Sequence, residues 1–258
     1  ENPLQLYFFC MSAPVLLGHL LWSFHSRIEP NWIAPAVPPL FCLMAVYWDE
    51  KLRAGSRIVK PFLAGGLALG FFAVAVMFDT NLIGKITGHP LPGEKDPSHR
   101  VRAYGQTAAF VETAREKLES EGKPTFVIAG HYGITGLFTF YSPPARGAML
   151  KSAPLVFCID SEQPQNQFYF WPEYNYRASR KGQNAIYAEE LGPYQLEHGW
   201  TWKWLAGQEI KHDAPTPEAT PPQMEQEFES VIDLGEHEIK IGDLVFHRVH
   251  LWACYNLR

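Results

Sequence analysis

The stretch PFLAGGLALGFFAVAVMF, residues 61–78, runs without a charged side chain between Lys60 and Asp79. A helix of roughly 17–25 apolar residues is what crosses a hydrocarbon core. Two further uncharged runs precede it, at 2–26 and 30–48. The remainder, from about residue 85 on, mixes polar and apolar residues in the manner of a globular protein. The pattern predicts an α-helical multi-pass membrane segment over residues 1–84, with about three helices. A soluble α/β domain with a mixed sheet is predicted to follow over 85–258. The overall charge is -5. Residues 1–83 hold five basic and five acidic side chains, so the excess of acid lies in the later part. A mildly acidic soluble domain argues against nucleic acid as a partner, because its binders carry a basic patch.

The polar breaks between the runs set an expected topology. The 49–60 loop contains Lys51, Arg53, Arg57 and Lys60, whereas 24–29 has only Arg27, beside Glu29. Positive charge flanking spans marks the cytoplasmic side. The 49–60 loop is therefore expected in the cytoplasm and residues 27–32 outside. After a third span the soluble domain is expected outside as well, in a periplasm or its equivalent. No positively charged leader precedes the first apolar run, which argues against a signal peptide. The reading that follows is the C-terminal part of a longer protein of the inner (plasma) membrane, with the rest of its membrane domain as a partner.

Within the soluble part, 84–99 reads as a linker rich in Gly, Pro and charge. Phe110, Val111, Ala114 and Leu118 recur at helical spacing across 106–121. Gly122 suits the helix end and Pro124 forbids its continuation. The apolar, β-branched run 125–129 predicts a buried parallel strand. Residues 132–141 predict a helix stopped by Pro143 and Pro144. Runs at 155–159 and 185–188 predict two more strands, and 238–255 predicts antiparallel strands. Residues 212–224, dense in Pro, Thr and Ala, read as a loop.

Four groups carry candidate chemistry. Glu29, Pro30, Asn31 and Trp32 lie at the mouth of a span beside Arg27. Proline suits a first helical turn and tryptophan an interface. Arg27, Glu29 and Asn31 together would instead suit a phosphate and sugar hydroxyls. His131 and Tyr132 follow the first strand, where open α/β sheets bind ligands, although a strand-end histidine also suits a plain surface. Asn166, Gln167 and Trp171 combine amides with aromatic faces, the set that sugars need. The alternative has Phe168 and Phe170 in the core and Tyr169 and Trp171 on a membrane surface. Arg180, Lys181 and Gln183, with Arg177 nearby, would suit a phosphate near lipid headgroups or merely a solvated face.

Other chemistries lack their residues. Cys10 and Cys42 fall in the spans, and Cys158 and Cys254 would bridge only if two strands brought them into disulfide geometry. His247 and His250 are three apart in a strand and so point to opposite faces. No metal site, no other cofactor and no phosphate-binding glycine loop is expected.

These motifs carry a resemblance. The segment 29–36, Glu-Pro-Asn-Trp-Ile-Ala-Pro-Ala, resembles the Glu-Pro-Asn-Trp-Pro-Ala-Pro-Ala stretch of bacterial polyprenyl-phosphate-dependent glycosyltransferases. That family includes the lipid A aminoarabinose transferase and the protein O-mannosyltransferases. Asn166, Gln167 and Trp171, then 181–185, resemble a block in the C-terminal domain of the same proteins. The ending Leu251-Trp252-Ala253-Cys254-Tyr255 is similar to their aromatic-Arg-Cys-Tyr ending. Ile33 stands where proline is usual and Ala253 where arginine is common. The resemblance implies a multi-spanning GT-C transferase that takes a sugar from a polyprenyl-phosphate carrier, among membrane lipids, to a lipid, glycan or protein acceptor. It gives Arg27 a phosphate role and Glu29 and Asn31 substrate contacts. It places the catalytic acid in an earlier outward loop. The rival expectations are a non-enzymatic membrane-anchored sugar- or lipid-binding domain and a structural or assembly subunit.

Overall fold

A computed structural model describes the chain apart from Glu1, Arg27, Glu29, Pro90, Pro97, Arg100, Glu162, Pro193 and residues 212–218, with the backbone alone at Pro30, Asn81, Ile83 and Lys85. Contacts divide it into two units, residues 1–75 and Val76–Arg258.

In the first unit, α1 (Pro3–Ser23) and α2 (Val37–Arg53) pack as a hairpin, and a 3₁₀ helix (Pro30–Ala36) leads into α2. The side-chain amides of Asn2 and Gln5 both donate to the Glu50 carboxylate, Gln5 at 2.7 Å. Since these residues sit at the start of α1 and near the end of α2, the two helices run antiparallel. Asn2 also caps α1, accepting from the Leu4 amide at 3.0 Å. Helix α3 (Val59–Phe78) is apolar on all sides, and only Val59 in it is buried. Among the described residues three helices are thus long and apolar enough to cross a membrane: 3–23, 31–53 and 59–78.

The second unit opens with α4 (Asn81–Thr87) and a 3₁₀ turn (Gly93–Lys95). The described part of the expected linker folds around Asp96, 6% exposed, which gathers hydrogen bonds. Thr80 Oγ1 donates to it at 2.8 Å, and Ser98 donates through N and Oγ at 2.8 and 2.6 Å. Then come α5 (Tyr104–Glu119), β1 (Thr125–Ala129), α6 (Tyr132–Tyr141), α7 (Pro143–Met149) and β2 (Val156–Cys158). Two 3₁₀ turns (Gln167–Phe170, Pro172–Tyr174) and α8 (Tyr176–Ser179) lead to β3 (Asn184–Leu191). The chain finishes with α9 (Trp200–Leu205), α10 (Pro222–Glu227), β4 (Phe228–Ile241) and β5 (Leu244–Leu257).

The five strands form one mixed sheet in the order β2-β1-β3-β5-β4. β1 pairs in parallel with β2 and β3, while β5 is antiparallel to both β3 and β4. Strand alternation divides the core in two. Val127, Ala129, Ile186, Ala188, Leu251 and Ala253 pack beneath α5, α6 and α7. Phe126, Ile128, Ala185, Tyr187, Trp252 and Cys254 pack on the other face with Tyr174, Tyr176, Met224 and Phe228. The β1-to-β2 connection runs over the first face and the β2-to-β3 connection over the second. Steps in opposite directions along a sheet need opposite faces if both crossovers keep one hand.

Several boundaries differ from the sequence reading for local reasons. The predicted helix 106–121 starts and stops two residues earlier, and Gly122 (φ 106°) lies beyond its Ser120 cap. Pro143 and Pro144 end α6 and also open α7, since Ser142 Oγ accepts from the Ala145 amide at 3.3 Å. Part of the expected 212–224 loop lies outside the described residues. Residues 219–221 are irregular, and 222–224 open α10, because Met224 is fully buried in the second core. The terminal strands begin ten residues earlier than 238, as a hairpin whose turn has Gly242 at φ 61°. Arg115 ties α5 to the sheet: buried, it donates to Glu112, to Glu119 and, at 3.1 Å, to the Thr125 carbonyl that opens β1.

Candidate functional site

Loops at the carboxyl end of a parallel sheet carry ligands most often where consecutive connections leave in opposite directions. Here that place lies around β1. Gly130 follows β1 and donates to the Ala188 carbonyl at 3.0 Å. A Cβ on it would stand 2.9 Å from the Tyr187 hydroxyl, so the close approach requires glycine. Burial, with Glu189 nearby, raises the pKa of that hydroxyl, and it donates to Glu189 at 3.3 Å. His131 comes next as the N-cap of α6. Its Nδ1 accepts from the Gly133 amide at 3.1 Å, and its ring lies 4.1 Å from that of Tyr132. Both side chains are exposed.

Beside β2, at the same end of the sheet, is a cavity of about 250 Å³ lined by Cys158, Asp160, Ser161, Asn166, Phe168, Tyr169, Tyr174, Asn175 and Tyr176. Its walls are braced from below. Asn166 caps a 3₁₀ turn through Oδ1, accepting from Phe168 at 3.0 Å, and its amide nitrogen reaches Cys158 Sγ at 3.6 Å. Asn175 caps α8 in the same way, accepting from Ala178 at 3.0 Å. Asp160 pairs with Arg177 at 2.7 Å, Arg177 pairs with Glu227 at 2.5 Å, and the Tyr176 hydroxyl donates to Glu227 at 2.7 Å. Burial raises the pKa of the Tyr176 hydroxyl far above its usual value, with Glu227 adding to the effect, so it stays a donor. Burial likewise raises that of the Cys158 thiol. Four aromatic rings and two side-chain amides around a small polar cavity suit an uncharged ligand rich in hydroxyls.

The residues singled out in the sequence fall in three places. Arg27 and Glu29 lie outside the described residues. Asn31 and Trp32 are in the 3₁₀ turn between α1 and α2, both exposed. His131, Tyr132, Asn166, Gln167 and Trp171 belong to the carboxyl end of the parallel strands or its loops. Gln167 is exposed, and Trp171, 41% exposed, packs edge-on to Phe168 at 5.5 Å. Phe168 points inward as expected, but Phe170 is 64% exposed, because the tight 3₁₀ turn cannot bury both rings.

Arg180, Lys181 and Gln183 are at the opposite end. Thr125 pairs with Asn184 and Ala129 with Cys158, so the length of β1 separates the groups, about 13 Å at the usual strand rise. Arg180 Nη2 donates to the Pro154 carbonyl at 2.6 Å, and the guanidinium lies 5.5 Å from the centre of the Phe157 ring. Burial lowers its pKa. Gly182 donates to Leu257 at 2.8 Å, and Leu257 donates back to the Gln183 carbonyl at 2.9 Å. Lys181 is exposed. This block therefore turns the chain into β3 and anchors β5.

The sequence reading missed Asp160, Tyr176 and Glu227. Asp160 was within reach, since it directly follows an apolar strand run. It also missed the cluster in which His247 Nδ1 meets Glu190 at 2.7 Å, while the Tyr104 hydroxyl donates to the same carboxylate at 3.1 Å. His250 lies on the other face, 2.5 Å from Asp233 and stacked on Trp252 at 4.0 Å. Cys158 and Cys254 are free. β1 and β3 stand between their strands, which alone separates them by about 14 Å at usual strand spacing, and the two cysteines are level with Ala129 and Phe126 of β1, so they lie beyond the reach of a disulfide. Among the described residues no group of three or more His, Cys, Asp or Glu side chains is placed to hold a metal ion.

The chain matches no protein-family model, no curated protein and no solved structure.

Proposed function

We propose that this chain is part of a membrane glycosyltransferase that moves a sugar from a polyprenyl-phosphate carrier to a lipid, glycan or protein acceptor. The reading rests on one juxtaposition in the chain: three apolar helices of bilayer length among the described residues, with Arg27, Glu29 and Asn31 in the sequence between the first two. A charged group, a carboxylate and an amide at a span mouth are costly unless something there uses them. A polyprenyl-phosphate sugar has the matching parts. Negative charge grows on its phosphate as the glycosidic bond breaks, and Arg27 supplies the compensating cation. Glu29 and Asn31 take sugar hydroxyls. The basic 49–60 loop then lies in the cytoplasm of an inner-membrane protein, and the α/β unit is periplasmic. Its aromatic and amide-lined cavity beside β2 supports the reading by offering a second hydroxyl-binding place.

The test is a lipid-linked sugar transfer assay on the complete membrane protein. Arg27→Ala and Glu29→Gln each lower the rate tenfold or more, at about 1.4 kcal/mol of barrier per decade. Wild-type rates in both variants would overturn the assignment.

A further inference from the structure

We propose that α9 is an interfacial anchor, with Trp202 and Leu205 inserted among the headgroups and upper acyl chains of the bilayer. Trp202 is 76% exposed and Leu205 55% exposed. Three positions apart on a helix, they share a face. Trp200 and Trp204, four apart, share another face and are half-buried. Lys95 Nζ lies 5.5 Å from the centre of the Trp200 ring. Trp204 lines a groove with His89, Pro92, Gly93 and Val245. Two tryptophans thus fasten the helix to its unit and leave the third pointing away from it. An indole combines a large apolar ring with a single N–H donor, which places tryptophan at the boundary between hydrocarbon and water.

The chain path favours a bilayer as what covers this face. The His89 ring packs against Gly207, just past the end of α9, so closely that a Cβ there would come within 2.5 Å of it. His89 follows Phe78, the last residue of α3, by eleven positions, seven of them wound into α4. At helical and extended rises that tether spans no more than about 25 Å. The tether therefore keeps the far end of α9 within about 25 Å of the last residue of an apolar helix of bilayer length. One flanking charge fits such a surface, since Lys95 stands over Trp200, whereas Lys203 is neutralised by Glu197 at 2.7 Å. Lysines beside tryptophan reach phosphate oxygens while their stems stay with the apolar rings. The anchor does not depend on the transferase reading. It needs only that α3 crosses a membrane.

The experiment uses the full chain with fluorotryptophan at its eight tryptophans, reconstituted in lipid nanodiscs and followed by fluorine NMR. Trp202→Phe assigns the resonance. A nitroxide carried at the lipid headgroup is expected to relax the Trp202 signal severalfold more strongly than that of Trp252, which is 0% exposed. A water-soluble gadolinium chelate is expected to leave Trp202 largely untouched. Strong relaxation by the chelate without the nitroxide would show the ring in water and overturn the anchor. Protection from both agents would show that protein, a second copy or another partner, covers the face, and would overturn it equally.

Discussion

Helix α3 and strand β1 are made of much the same residues and treat them in opposite ways. All five side chains of β1 are buried, whereas α3 buries only Val59 and leaves Phe71 73% exposed. Val, Ala and Phe occur in both, and water is what makes their exposure costly. In β1 the chain itself supplies the apolar surroundings from both faces of the sheet. In α3 the surroundings must come from outside the described unit, as lipid or as further helices. Burial within the chain is therefore a measure of who provides the solvent, not of how apolar the element is.

The sharpest way to break this contrast is a pair of large truncations. Trp252→Ala in the second core is expected to cost about 3–5 kcal/mol of the α/β unit's stability. Phe71→Ala in α3 should leave that stability within about 0.5 kcal/mol. Denaturant unfolding of the bilayer-reconstituted chain, read by protease resistance of the α/β unit, checks both. Equal losses would mean that α3 belongs to the same cooperative core.

Next in size is Arg115→Met. It takes the Arg115 bonds from Glu112 Oε1 and the Thr125 carbonyl beneath α5, leaving Glu112 only its bond from Ser142, at an expected cost of about 3 kcal/mol. The same unfolding experiment detects it, and a neutral result would show that α5 is held by its apolar face alone.

A smaller effect separates polar from apolar sources of order. Burial raises the pKa of Asp96, yet bonds from Ser98 and Thr80 and the charge of Arg102 outweigh it and hold the carboxyl below its usual value. A lowered folded pKa means stability that is present above the unfolded pKa, near 4, and lost as pH falls through the folded value. Melting of the α/β unit should drop on acidification in that range, and Asp96→Asn should flatten the drop. Smallest of all, burial pushes the Cys254 thiol up to about 12, so maleimide should not label it at neutral pH unless the unit unfolds.

How much was legible differs from element to element. Residues 125–129 and 132–141 match β1 and α6 because a continuous apolar run and a pair of prolines are local signals. The first half of β4 escaped notice because it lies at the sheet edge, where Val231 is half-buried but its neighbours Glu229, Ser230, Ile232, Asp233 and Leu234 are all exposed, so no period of two shows. The helix α10 was hidden in a proline-rich segment. Only the fold reveals that Met224 has a core to enter. For the candidate site, composition picked out amides and aromatics but not their ends of the sheet. Asn166 and Arg180 are fourteen residues apart in sequence, and β2 stops where β3 has yet to begin. The partners of Tyr176 and Asp160 depend on α10 and α8 meeting across that gap, which no spacing rule encodes.

β5 is the last strand in chain order, yet it lies between β3 and β4 in the sheet. During synthesis, β3 must wait with one edge open until residues 244–257 have emerged. β4 has no place to dock before then. A unit built this way cannot settle segment by segment as it leaves the ribosome or passes through a translocation pore. Its completion is a single late event, and until that event the open edge is a target for chaperones.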